Sequence, residues 1–243
     1  MPLDHPRLIP RRRTAALVAA LGFALVMMPW LVRNWLTLGT LGDNRLTVNT
    51  LQHGMYPDFE YRDEPQTYGI PYRFDPLTKK IERNLDATLR EIYRRFSEEP
   101  ARHLQWFLIG KPVMLWSWNI VAGMGDTFVY PVSKSPYFND GVFRFTRNLI
   151  AWLHLLLVIL ALIGSLLPWI PAVAEKMAPE PRFLARSVSL LLIYFTAVHT
   201  VGAPFPRYSV PVRPFLYAMS LFGAYRLYRL FRCLYRRDTP GSV

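Results

Sequence analysis

Four apolar runs divide the chain, and mostly polar residues fill the long interval between the first and the second run. The runs extend from about Ala15 to Val32, from Leu149 to Trp169, from about Phe183 to Gly202 and from about Val212 to Leu227. A helix of roughly 20 residues crosses the ~30 Å hydrocarbon core of a bilayer. The pattern therefore predicts an all-α polytopic membrane protein with about four transmembrane helices.

The runs and their flanks predict a series of segments along the chain. A basic N-terminus precedes the first transmembrane helix, and a loop and helical insert follows it. The predicted segments are a cytoplasmic N-terminus (1–13), transmembrane helix 1 (14–34), an extracytoplasmic insert with interfacial helices (35–147), transmembrane helix 2 (148–169), a cytoplasmic loop (170–182), transmembrane helix 3 (183–202), a short exterior loop (203–211), transmembrane helix 4 (212–228) and a basic cytoplasmic tail (229–243).

The insert has its own pattern of prolines, aromatic residues and apolar positions. Prolines and aromatic residues alternate too densely between Tyr56 and Pro76 for a regular helix. This stretch predicts an ordered loop packed through its own aromatic rings, with stacking on a sugar or isoprenoid as the alternative. Pro100 begins a predicted interfacial helix, interrupted midway by Lys111-Pro112. Between Pro76 and Pro100, apolar residues recur at a spacing that places them on one face of a helix: Leu85, Leu89, Ile92 and Phe96. This spacing predicts a helix.

The basic residues lie beside the apolar runs. Residues 35–142 carry 12 Lys+Arg and 13 Asp+Glu, and the rest of the chain carries 17 and 4. A nucleic-acid-binding protein shows a basic stripe on its soluble part, whereas the polar insert here is almost neutral. The basic excess therefore favours anionic lipid headgroups over nucleic acid. The single cysteine, Cys233, excludes a disulfide within the chain.

The charge of the flanks predicts the orientation. With both termini in the cytoplasm, the cytoplasmic flanks hold about twelve Lys and Arg, and the opposite flanks hold about seven. Because cationic flanks are retained in the cytoplasm, this count predicts that the insert lies outside it.

A corner at the end of the first apolar run, from Met28 to Gly39, has a distinctive composition. Trp30 and Trp35 stand on either side of Arg33 and Asn34. Tryptophan prefers the membrane–water interface, and an arginine just beyond an apolar run can reach lipid headgroups. The order Pro-Trp-x-x-Arg-Asn, followed by Gly, resembles a corner of integral-membrane glycosyltransferases of the GT-C class.

Two further matches support this resemblance. Arg207-Tyr208, followed by Pro211 and Pro214, resembles the Arg-Tyr-x-x-Pro-x-x-Pro segment that begins a late membrane helix in the same transferases. The predicted interfacial helix, with Lys111 and nearby tryptophans, resembles an amphipathic segment of that family. Together the matches resemble the C-terminal half of a member such as the bacterial relatives of protein O-mannosyltransferases and aminoarabinose transferases.

The resemblance implies an inner-membrane protein of bacteria that moves a sugar from a polyprenyl phosphate to an extracytoplasmic acceptor, without a cofactor. The family's catalytic carboxylate lies in its first exterior loop, upstream of the Pro-Trp corner, and no residue of this chain matches it. We therefore expect no transferase activity from the chain alone, and a separate chain would supply the N-terminal half. The alternatives are a non-enzymatic membrane module that binds a lipid carrier or a partner, and the product of a truncated gene.

The candidate ligands for the carrier phosphate are cations at the predicted exterior ends of the apolar runs. The guanidinium groups of Arg33 and Arg207 suit bidentate phosphate binding, and Asn34 and Tyr208 add hydrogen-bond donors. Ordinary contact with lipid headgroups is the alternative for both arginines. Lys111 is a further phosphate candidate, with anchoring at the membrane surface as its alternative.

The histidines give weaker signals. His199, close to the exterior end of its apolar run, is a candidate for substrate contact, and an interhelical hydrogen bond is the alternative. His53, His103 and His154 have no spacing typical of a metal site, so the sequence predicts none. No catalytic residue is identifiable.

Overall fold

The computed structural model describes residues 9–42, 44–82, 84–118 and 134–237. The first eight residues of the predicted basic N-terminus, residues 119–133 of the insert and the last six residues of the tail lie outside this part. The described residues contain helices and turns and no strand, apart from one isolated bridge between Tyr61 and Glu64. The predicted all-α class is therefore confirmed for the described part of the chain.

The chain forms two units, with the boundary after Thr47. The first unit contains α1, and the boundary falls within α2. The α-helices are α1 (Ile9–Leu38), α2 (Asn44–Gly54), α3 (Thr78–Ile81), α4 (Leu85–Glu98), α5 (Pro100–Gln105), α6 (Lys111–Leu115), α7 (Pro136–Asn139), α8 (Gly141–Leu166), α9 (Pro171–Ala174), α10 (Pro179–Val201), α11 (Pro206–Ser209) and α12 (Arg213–Arg237).

Three helices are long and apolar enough to cross a membrane. They comprise Thr14–Leu38, Gly141–Trp169 and Pro179–Val201. In the hydrocarbon core of a membrane a helix is favoured, because its backbone N–H and C=O groups form hydrogen bonds with each other within the segment. α12, where the sequence predicts a fourth span, is long enough but is not among the three, and its C-terminal half is rich in arginine.

In the first unit, α1 continues four residues beyond the predicted end of transmembrane helix 1. Pro29 lies inside the helix, and the helix ends where Gly39 adopts a left-handed φ of 67° and donates its N–H to the carbonyl of Trp35. Glycine suits this position because it lacks the Cβ that makes this region costly. The predicted corner is therefore helical through Arg33 and Asn34.

In the second unit, α8 and α12 pack against each other more extensively than any other pair of elements in the described part of the chain. A Cβ added to Gly164 would lie 2.2 Å from the carbonyl oxygen of Met219, and one added to Gly223 would lie 2.3 Å from that of Leu160. The two backbones therefore meet directly, as small residues permit between membrane helices. The shared apolar core joins these helices to α10 through Ala161, Leu192, Val212, Leu216 and Met219.

The polar segment after α2 is an ordered chain of short turns. Three single-turn 3₁₀ helices each begin with a proline, at Pro57, Pro65 and Pro71, because proline's fixed φ suits a first helical position. Tyr56 is buried beneath them, and its hydroxyl donates to Asp75 Oδ2 at 2.8 Å. Burial raises the pKa of Tyr56 far above its ordinary value of 10. The prolines and aromatic rings thus give the segment its own packed core.

The segment predicted as an interfacial helix is helical but irregular. α5 leads through a π-helical turn, Trp106–Gly110, into α6. Trp106 and Leu115 are buried, whereas a set of apolar side chains is exposed on the segment: Leu104, Leu108, Ile109 and Val113. α6 packs against α10, so this segment docks the polar region onto an apolar helix.

Candidate functional site

The candidate site lies where α10 ends and the chain turns towards α11. Pro206 begins α11, which places Arg207 and Tyr208 in the first turn. The guanidinium carbon of Arg207 lies 4.5 Å from the ring centroid of Phe205 and 5.5 Å from that of Tyr208. Phe205 is itself buried against Phe59. Arg207 therefore lies on aromatic rings that belong to a fixed core.

His53, near the end of α2, brings a second arginine into the site. Its ring stacks on Tyr72, with centroids 3.9 Å apart, and meets Phe205 edge-on at 6.0 Å. Burial, followed by the charges of Arg207 and Arg73, lowers the pKa of His53 from 6.5 to about 4. Both arginines therefore act electrostatically on this one imidazole. We call His53, Arg73 and Arg207 the cationic cluster.

The cationic cluster has no compensating negative charge among the described residues. No carboxylate of the described part of the chain lies within ion-pair distance of Arg73 or Arg207, although arginines of the neighbouring helix α4 are paired. Arg73 is exposed, and Arg207 and His53 are partly exposed. The arrangement can therefore accept an anion from solvent, and guanidinium groups suit phosphate or carboxylate oxygens.

His199 joins the same site from the last turn of α10. Its ring lies 5.4 Å from that of Tyr208 and 4.2 Å from that of Phe195. The Nδ1 atom donates to the carbonyl of Phe195 at 2.8 Å, a bond within its own helix. The structure thus groups three of the residues singled out by sequence, His199, Arg207 and Tyr208.

Lys111 is close by, but its ammonium group is completely buried. Nζ donates to the carbonyls of Thr200 and Gly202, each at 2.9 Å, and lies 3.3 Å from the ring centroid of Phe107. Burial lowers the pKa of Lys111 to about 6. In this position Nζ donates to carbonyls that would otherwise be unpaired at the C-terminal end of α10, and Lys111 therefore caps this helix end.

Arg33 and Asn34 belong to the first unit, which is described by itself. The Asn34 side-chain amide donates to the carbonyl of Leu41 at 3.5 Å, and Thr37 donates to the carbonyl of Arg33 at 2.7 Å. The first bond joins the end of α1 to the chain that follows it, and the second lies within α1. Arg33 is exposed.

Sequence reasoning missed two members of the cationic cluster. His53 was considered only for metal spacing, and Arg73 lies inside the proline-rich stretch that was predicted to pack on itself. The sequence signal at this point is the His53-Gly54 pair, which is typical of a turn. In the structure a Cβ at Gly54 would lie 2.1 Å from the carbonyl oxygen of Gly202. That close approach brings the end of α2 against the end of α10, and His53 with it.

A separate cleft of about 360 Å³ opens between the turns and α4. Its charged side chains largely pair with each other: Arg95 bonds Asp75 at 2.6 Å, and Arg94 bonds Glu98. The described residues contain no group of His, Cys, Asp and Glu that could hold a metal ion. The cleft lining is Tyr56, Pro57, Glu60, Tyr61, Arg62, Asp75, Leu77, Arg94, Arg95, Glu98, Glu99, Arg102 and His103.

Comparisons with known proteins found no match of any kind. No protein-family model matches the chain, no curated protein matches it, and no solved structure matches it. The described residues themselves define the class: a helical protein with three helices suited to a membrane and a cationic cluster beside the end of one of them.

Proposed function

We propose that this chain is an integral membrane protein that binds the phosphate of a polyprenyl-phosphate lipid at the cationic cluster. The observation that carries the proposal is that the Arg207 guanidinium lies on the rings of Phe205 and Tyr208, while no described carboxylate lies within ion-pair distance of Arg207 or Arg73. Uncompensated cations beside the end of a membrane-type helix suit a phosphate group at the membrane surface.

The aromatic rings around the cluster support a lipid ligand rather than a free anion. Phe205 and Tyr208 hold the Arg207 guanidinium from the protein side, and Tyr208 is 38% exposed. A ligand with a phosphate head and an isoprenoid chain could contact the guanidinium and an aromatic face together. Inorganic phosphate would gain only the first of these contacts.

The proposed role in chemistry is that of a lipid-carrier-binding portion of a GT-C-like glycosyltransferase. In such a reaction the arginines hold the leaving phosphate as negative charge develops, and a carboxylate base activates the acceptor hydroxyl. The cationic cluster supplies the first function and contains no carboxylate. We propose that the base comes from a separate chain; without such a partner, the chain acts as a lipid-binding module.

The proposed topology has four spans, with α12 as the fourth, and both termini in the cytoplasm of a bacterial inner membrane. The close packing of α12 on α8 supports the fourth span, because α12 makes its most extensive contact with a helix of membrane-type composition. In this arrangement the polar segment and the cationic cluster face the extracytoplasmic side.

The binding proposal is tested with undecaprenyl phosphate and the purified full chain in a neutral detergent. Arg207→Gln and Arg73→Gln should each weaken binding by roughly tenfold to a hundredfold, since a hydrogen bond to a charged group contributes about 1.5–3 kcal/mol. Arg207→Lys should restore part of the loss, because it keeps the charge without the planar fork. Arg33→Gln tests separately whether Arg33, in the first unit, contributes to binding of undecaprenyl phosphate.

Two controls accompany these variants. Arg90→Gln removes an exposed arginine that pairs with Asp86 on α4, and it should bind like the wild type. Undecaprenol, which lacks the phosphate, should bind weakly and equally to all variants. Equal affinity of the Arg73 and Arg207 variants and the wild type for undecaprenyl phosphate would refute the proposal.

A further inference from the structure

The opposite end of α10 carries a second, larger group of cations. There α8 passes through the turn Leu167–Trp169 and α9 into α10, and the C-terminal half of α12 arrives beside them. Arg226 of α12 donates to the carbonyl of Val173 at 3.3 Å, which fixes α12 against this connection. We call the six cations of this region the basic end: Lys176, Arg182, Arg186, Arg226, Arg229 and Arg232.

Three arginines of the basic end donate hydrogen bonds to main-chain carbonyls. Arg182 donates to Ala174 at 3.4 Å, and Arg186 donates to Pro168 at 3.1 Å. Among the described residues, no carboxylate lies within ion-pair distance of any of the six cations, although Glu175 and Glu180 lie nearby in sequence. These carbonyl bonds orient the guanidinium groups and leave their positive charge uncompensated.

Aromatic side chains accompany these arginines along α12. Three of the arginines each follow an aromatic residue directly, in the pairs Tyr225-Arg226, Tyr228-Arg229 and Phe231-Arg232. The three rings are 54%, 60% and 66% exposed, so they do not contribute to the protein core. Exposed aromatic rings that alternate with arginine are typical of the headgroup level of a membrane.

The exposed apolar surface continues from this region along the helices. On α8 and α12, Leu162, Leu166 and Leu221 are 61%, 53% and 71% exposed. Trp169 lies in the turn that follows α8, and the Arg186 guanidinium lies 5.1 Å from its ring centroid. Along these helices, exposed leucines are therefore followed by exposed aromatic side chains and then by arginines. This order matches the order of chemical groups in a phospholipid.

We propose that the basic end binds the headgroups of anionic phospholipids. The guanidinium groups of Arg226, Arg229 and Arg232 contact the phosphates, and the aromatic rings of α12 lie at the boundary with the acyl chains. An acidic soluble protein would leave those rings and the adjoining leucines in water, so a lipid fits the surface better. The basic end shares no residue with the cationic cluster, so this proposal does not depend on the proposed function.

The test uses the purified full chain in neutral detergent, titrated with dioleoylphosphatidylglycerol or dioleoylphosphatidylcholine and followed by native mass spectrometry. The triple variant R226Q/R229Q/R232Q should bind phosphatidylglycerol roughly tenfold to a hundredfold more weakly than the wild type, because each cation at a membrane surface contributes about one kcal/mol. Binding of phosphatidylcholine should not change. A salt concentration of about 0.5 M should weaken the wild-type preference for phosphatidylglycerol.

The control variant K79Q/K80Q/R90Q removes the same charge from exposed positions on α3 and α4. It should bind phosphatidylglycerol like the wild type, and an equal loss would show that net charge alone sets the affinity and overturn the proposal. Glycerol phosphate, a headgroup without acyl chains, should not compete at equal concentration. Effective competition would indicate a site for free anions instead of lipid.

The triple variant must also fold, which its elution as a single species and its helical circular dichroism will show. If it does not fold, Arg229→Gln alone serves, because the Arg229 guanidinium donates no hydrogen bond to the described residues and only overlies the ring of Tyr225, 6.0 Å from its centroid. A loss of roughly threefold or more supports the proposal, and wild-type affinity refutes it. Arg207→Gln should bind phosphatidylglycerol at the basic end like the wild type.

Discussion

At the residue scale, His53 determines how the cationic cluster responds to pH. Burial disfavours the charged imidazole, the positive charges of Arg207 and Arg73 add to this effect, and therefore the pKa of His53 falls to about 4. In the unfolded chain the imidazole is exposed and protonates near pH 6.5. Folding is therefore opposed by proton binding to the unfolded state as pH falls through this range.

We expect His53→Gln to flatten the pH dependence of stability. Above about pH 6.5, His53 is neutral in both the folded and the unfolded chain and does not lower the free energy of unfolding. As pH falls from 6.5 towards 4, the unfolded chain binds the proton first and the free energy of unfolding decreases. At pH 5 the loss amounts to at most about 2 kcal/mol, and the partial exposure of the ring reduces it. Thermal unfolding of both proteins in detergent between pH 7.5 and 5 measures the difference. Parallel curves would contradict the assignment.

The sequence alone does not decide between the candidate functions of Lys111. Phosphate binding and anchoring at the membrane surface both require an accessible ammonium group. The structure instead buries Nζ on the carbonyls of Thr200 and Gly202. This contact joins α6 to the end of α10, and so Lys111 supports the backbone on which Arg207 is held.

At the scale of elements, the crossing of α8 and α12 depends on two glycines. Backbone carbonyl oxygens lie where the missing Cβ atoms of Gly164 and Gly223 would be. Because a backbone atom cannot rotate away as a flexible side chain can, a larger residue would force the helices apart. The separation would disturb the core that holds Leu192 of α10.

We expect Gly164→Ala to destabilise the chain although alanine is the better helix former. Replacing glycine by alanine stabilises a helix by up to about 1 kcal/mol. The clash of the added Cβ with the Met219 carbonyl destabilises the packed helices by about 1–3 kcal/mol. Unfolding in mixed detergent micelles measures the balance. Gly141→Ala, at the start of α8 with no atom within 4 Å of the added Cβ, is the matched control. A Gly164 variant as stable as this control would show that the helices can separate freely.

At the scale of the whole molecule, the two ends of α10 carry different cation groups. The cationic cluster follows its C-terminal end, and the basic end surrounds its N-terminal end. A helix of this length spans a distance comparable to the thickness of a bilayer. We therefore infer that the two cation groups serve opposite membrane surfaces.

Cysteine accessibility tests this topology. In a background with Cys233→Ser, Ser97→Cys on α4 should react with an impermeant thiol reagent applied to intact cells, because we place the polar segment outside the cytoplasm. Ala178→Cys, between α9 and α10, should react only after lysis. Both positions are exposed, so burial does not limit labelling. The reverse labelling pattern would invert the proposed orientation.

Local patterns predicted the helices well, but they located only part of the candidate site. The apolar runs around α8 and α10 and the one-face spacing of α4 each correspond to a helix. Arg207 was found by its motif, whereas its neighbours His53 and Arg73 come from distant parts of the sequence. Such contacts depend on packing, which periodicity within one segment does not report.

The sequence by itself predicted a helical chain with four apolar segments, and three of these correspond to helices long and apolar enough to cross a membrane. Apolar composition and length are local properties, and a membrane permits few backbone conformations that satisfy their own hydrogen bonds. Only the tertiary structure decided which cations meet. It buried Lys111 at the end of α10, placed Arg207 on the rings of Phe205 and Tyr208, and left Arg226, Arg229 and Arg232 without carboxylate partners among the described residues. The physical reason is that charge pairing depends on distance in space, and long-range packing sets that distance.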